Sequence, residues 1–75
     1  MFISQFITQE VRNAVSRSLG KQFIAEADPY RIPDSDLWAA AEALPISLYE
    51  AYPPAAGSMT ERLVIIRETI RQLKA

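Results

Sequence analysis

Three carboxylates crowd one short stretch of the chain. Asp28, Asp34 and Asp36 are of the right type to ligate a hard cation or to act as general acids and bases. Their spacing supports neither use. Counted from Asp34, a calcium loop needs glycine at its sixth position and glutamate at its twelfth, where this chain has Ala39 and Pro45. There is no Cys and no His, which removes thiolate and imidazole metal sites, disulfides and the usual nucleophile and base pairings. Two glycines in 75 residues are scant material for a phosphate-cradling loop or a dinucleotide fingerprint, and no G-x-S-x-G occurs. The acids read as helix caps and solvated loop charges. The expectation is a protein without metal or cofactor that binds and does not catalyse.

Three other sets of residues could do the binding. Ile65 falls nearly opposite the apolar stripe of its own segment at about 100° per residue, ringed by Glu61, Arg62, Glu68 and Thr69. One apolar anchor with a polar rim is the pattern of a partner-binding surface. Trp38, Tyr49, Tyr52 and Tyr30 are close in sequence, and such aromatics either pack a core or anchor a protein partner. Arg67, Arg71 and Lys74 form a basic stripe that could grip phosphate, although cations near a helix C-terminus also complement its dipole. The first two sets predict protein binding through Ile65, Arg62, Trp38, Tyr49 and Tyr52. The third predicts the alternative, a compact DNA-binding regulator.

Amphipathic helices must position these residues. Ser58-Met59-Thr60-Glu61 is a capping box, and behind it Met59, Leu63, Ile66, Ile70 and Leu73 keep to one face, which predicts a helix over 59–74. A first amphipathic segment buries Ile3, Ile7, Val11, Ala14 and Val15, with Ser4 as a plausible N-cap and Phe2 and Phe6 widening the face. It either stops at Gly20, giving a helix over about 4–19, or continues to about 27 at a cost of about 1 kcal/mol relative to alanine. Asp28-Pro29-Tyr30-Arg31-Ile32-Pro33 is a connector, since each proline disfavours helix in the residue before it. Asp34 then reads as an N-cap for a short helix over 35–44, with Leu37, Ala40, Ala41 and Leu44 inward and Trp38 at the flank. Pro45 suits the first position of another over 45–52, which Pro53-Pro54 ends. The fold expected is all-α, a small single domain of two long and two short helices.

The run from Ala39 to Tyr52, roughly a fifth of the chain, is faintly similar to the helix-turn-helix of TetR-like repressors. There an Ala-rich helix meets a Leu-Gly-hydrophobic-Ser turn and a helix containing Leu-Tyr, and the resemblance implies DNA reading by the second helix. Here Pro45 replaces the turn glycine, and the residues expected between Ser47 and Leu48-Tyr49 are missing. The second helix carries Glu50 and no Arg, Lys, Asn or Gln to reach base edges. The resemblance is not adopted.

A chain of this length buries only about 60% of the surface its unfolded form exposes. Without disulfides or a metal, oligomerisation is the remaining way to thicken so thin a core, so a homodimer is expected. The net charge of −1 gives no general attraction to nucleic acid or an anionic membrane. Its distribution is uneven. Residues 1–25 and 51–75 each carry +2, and the middle carries −5. Such blocks can pair within one molecule or between two copies. No stretch approaches the ~20 apolar residues of a membrane span, and the N-terminus lacks a signal peptide's basic region. The expectation is a cytoplasmic regulator, adaptor or inhibitor that acts by binding another protein.

Overall fold

The longest helix lies at the centre because neighbours cover it on more than one side. In a computed structural model that describes residues 3–75, the chain forms a 3₁₀ turn (Ile3–Phe6) and six α-helices. These are α1 (Gln9–Leu19), α2 (Lys21–Glu26), α3 (Asp34–Glu42), α4 (Ile46–Ala51), α5 (Pro54–Gly57) and α6 (Met59–Lys74). No strand occurs among the described residues. Helix α6 packs against α1, α2, α3, α5 and the 3₁₀ turn. The result is an all-helical single domain with a Cα radius of gyration of 11.0 Å.

Local chemistry fixes the boundaries. Ser58 Oγ accepts from Glu61 N–H at 3.3 Å, the forward half of the capping box. The carboxylate of Glu61 turns instead to Tyr52, whose hydroxyl donates to it at 2.9 Å. At the first helix the expected cap at Ser4 gives way to Thr8, whose side chain accepts from Val11 N–H at 3.3 Å. The chain therefore enters α1 five residues later, with Glu10 in the first turn against the helix dipole. Phe2 lies outside the described residues.

Gly20 ends α1. Its φ of +88° is a conformation that side-chain-bearing residues rarely adopt. Its N–H closes α1 on Ser16 O at 2.9 Å, and its own carbonyl accepts from Ile24 N–H at 3.1 Å, opening α2 in a new direction. The break buries Ile24 in the core. Asp34 proves to be the first residue of α3, with Pro33 in the cap position. Its carboxylate is drawn to Arg67. Pro45 likewise precedes α4. The segment Pro54–Gly57, beyond the Pro53-Pro54 stop, is a single helical turn that buries Ala55.

The core joins Val11 and Val15 of α1, Leu37, Ala40 and Ala41 of α3, Leu48 of α4, and Leu63, Ile65, Ile66 and Ile70 of α6. Thr69 is fully buried among them, and its hydroxyl donates to Ile65 O at 2.7 Å. That bond removes the penalty of an unpaired polar group. Helix α3 packs on α6 and α1, whereas α4 packs chiefly on α5. A helix-turn-helix unit would instead pack its two helices on each other.

Candidate interaction surface

The anchor expected on α6 is not at the surface. Ile65 is 0% exposed and Thr69 is buried beside it, so the proposed apolar anchor with its polar rim does not exist. The physical reason is the central position of α6, which gives it two covered faces. Arg62, expected in that rim, serves the fold. Its Nε donates to Ala55 O at 2.9 Å and a terminal nitrogen donates to Ala56 O at 2.7 Å, satisfying carbonyls of the short α5. The guanidinium also lies 5.1 Å from the centre of the Tyr49 ring, within reach of a cation–π attraction.

The four aromatic residues divide into two pairs. Tyr49 and Tyr52 are half-buried against the core. The Tyr52 ring stacks on Phe6 with centroids 4.7 Å apart and planes tilted by 30°. Accepting the Tyr52 proton in a hydrogen bond, the Glu61 carboxylate raises the phenol above its usual pKa, and desolvation adds to the effect. Trp38 and Tyr30, by contrast, are 51% and 68% exposed.

Their placement follows from the course of the chain along α6. Lys74 Nζ donates to Ala27 O, and one Arg67 nitrogen donates to Pro29 O at 2.7 Å and Ile32 O at 2.8 Å. The other terminal nitrogen pairs with Asp34. As residue numbers rise from 27 to 34, their α6 partners fall from 74 to 67, so the two run antiparallel. Trp38 lies one helical turn beyond Asp34 on α3, and Val64, 40% exposed, lies about one turn before Arg67 on α6. Tyr30, Trp38 and Val64 are the large apolar residues left exposed on the connector, α3 and α6. Outward from Trp38, α3 presents Ser35, Ala39, Glu42 and Ala43.

The basic stripe is largely engaged. Arg67 is enclosed by the connector, with a side chain only 19% exposed. Arg71 forms a bidentate pair with Glu68, one bond being 2.9 Å long. Hydrogen bonding to Arg71 lowers the Glu68 pKa against an opposing desolvation effect. Lys74 holds Ala27 O. Charges whose side chains have neither a hydrogen-bond nor an ion-pair partner among the described residues lie elsewhere, at Arg17 and Lys21 and at Asp36, Glu42 and Glu50.

Among the described residues no group of three or more acids could hold a metal ion, and no helix is long and apolar enough to cross a membrane. An open cleft of about 440 Å³ lies between α1, α2 and the end of α6, lined by Ser16, Lys21, Ile24, Ala25, Leu73 and Lys74. Both helix ends beside it, at Leu19 and Lys74, are C-termini, whose dipoles the lysines already balance. Val64 and Ile46 are further exposed apolar residues that the periodicity did not single out, and Phe23, which continues the helical spacing from Leu19, is exposed as well. For Ile46, at 73%, its place directly after Pro45 and ahead of the buried Leu48 is the only cue. The chain matches no protein-family model, and comparisons with curated proteins and with solved structures likewise find no significant match.

Proposed function

We propose that this chain is a small protein-protein interaction module, acting as a regulator, adaptor or inhibitor of another protein and forming a homodimer. The observation that carries the reading is the exposure of Trp38 on α3, with Tyr30 on the connector and Val64 on α6 also exposed. A half-exposed tryptophan held on a packed helix is a pre-ordered anchor, the kind of residue that dominates binding energy at protein interfaces.

The alternative, a DNA-binding regulator, needs Arg67, Arg71 and Lys74 free to neutralise phosphates. Each has an intramolecular acceptor, which favours the protein-binding reading. The test compares capture from the native host by wild type and by Trp38→Ala, read by mass spectrometry, alongside retention on duplex DNA. Protein binding predicts a captured protein that Trp38→Ala loses at unchanged helical circular dichroism. Retention on DNA that falls steeply with salt, with no Trp38-dependent capture, would overturn it.

A further inference from the structure

A seam borders one flank of α3. Where α2 meets the start of α3, a shallow slot of about 240 Å³ is lined by Phe23, Glu26, Ala27, Ile32, Pro33 and Asp36. It has an aromatic ring, an apolar floor and two carboxylates, and Asp36 has no partner among the described residues. That combination fits a guanidinium on an apolar stem, which can lie along Phe23 while its charged end meets the acids. At the other end of the same flank, a hollow of about 250 Å³ is lined by Ala14, Arg17, Ser18 and Ala43. Arg17 is exposed and likewise unpartnered among the described residues.

The two ends are complementary to each other and separated along α3 by the rise from Asp36 to Ala43, about 10 Å. A cation at one end and its slot at the other cannot meet within one copy. A two-fold axis through the middle of the exposed α3 face, near Ala39, brings each onto its complement in a neighbour. Ser35, Ala39 and Ala43 repeat every four residues along this face, so two backbones can come close there.

We propose that the chain pairs with a second copy of itself through the outer face of α3. The two α3 helices run antiparallel, and Arg17 of each copy enters the slot beside Asp36 of the other. This deepens the protein-binding reading and rests on it. Trp38 projects from the opposite flank of α3, at the margin of this contact, and stays open to a different partner. An interface of ordinary size takes about 800 Å² from each copy, roughly a sixth of the 4565 Å² available, so the hollows on both sides of Ala39 belong to it.

Sedimentation equilibrium at low salt and up to several hundred micromolar tests this with three proteins and one mixture. Wild type is expected to be dimeric, and Arg17→Glu and Asp36→Lys each at least tenfold weaker in association, with unchanged helical circular dichroism because both sites are exposed. An equimolar mixture of the two variants is expected to regain the dimer, since each introduced charge then faces its opposite. A monomeric wild type, two variants that dimerise like wild type, or a mixture that stays monomeric would each overturn the proposal. A monomer that still captures a protein through Trp38 removes this dimer and leaves the binding function standing. A dimer without Trp38-dependent capture does the reverse.

Discussion

Helices α6 and α3 each carry a large apolar residue off the main stripe, and the two residues meet opposite fates. Ile65 is fully buried, and Trp38 is half exposed. The difference lies in their surroundings. Helix α6 is flanked by five other elements, whereas α3 is packed mainly on α6 and α1 and leaves its outer side free. An apolar residue outside the stripe therefore has no fixed fate, and the position of its helix decides whether the chain itself covers it.

The most damaging way to probe this contrast is Ile65→Asp. A carboxylate placed at a fully buried site with no cation to meet it costs more than a small domain can spare, so cooperative melting and most helical circular dichroism should be lost. Retention of both would mean that α6 has a solvent-facing side after all. Arg67→Ala comes next, expected at about 2–3 kcal/mol in chemical denaturation, because it leaves the carbonyls of Pro29 and Ile32 without their charged donor. Hydrogen exchange should accelerate first in residues 28–33. Uniform acceleration would show that Arg67 does not hold the connector in particular.

Tyr52→Phe should have a smaller effect, present at neutral pH and fading as the pH rises above 10. The folded phenol has a pKa raised above the ordinary 10.0 by its bond to Glu61, so the stability it contributes is complete below pH 10 and lost as the pH rises through the folded value. Between pH 9 and 11 the wild-type melting temperature should therefore fall more than that of the variant. Equal slopes would mean that the hydroxyl is not bonded to Glu61 in solution. Smallest of all should be Trp38→Ala, within about 0.5 kcal/mol of wild-type stability, as for other surface changes. A cost of several kcal/mol would make Trp38 part of the core and erase the contrast with Ile65.

The elements that proved legible in the sequence are those whose cause is local. Ser58 caps α6 because a hydroxyl and the third N–H of a helix are neighbours in the chain, and the stripe of Leu63, Ile66 and Ile70 needs only the helical repeat. The choice at Gly20 was open until a φ of +88° resolved it as a break, since a glycine permits both outcomes. The fate of Ile65, and with it the expected site, depended on how many elements surround α6, which no spacing within α6 records. The clamp made by Arg67 was equally hidden, because its acceptors lie 33 to 38 residues away and two of them are backbone carbonyls.

That clamp also bears on the order in which the protein can assemble during synthesis. Helices α1 to α5 leave the ribosome before α6, yet the connector after α2 is tied by Arg67 and Lys74, and most of the core is closed by α6. A chain ending before Arg67 lacks Ile70 of the core and both side chains that tie the connector. Because most of the core closes on α6, a chain truncated before that helix is expected to be open and aggregation-prone.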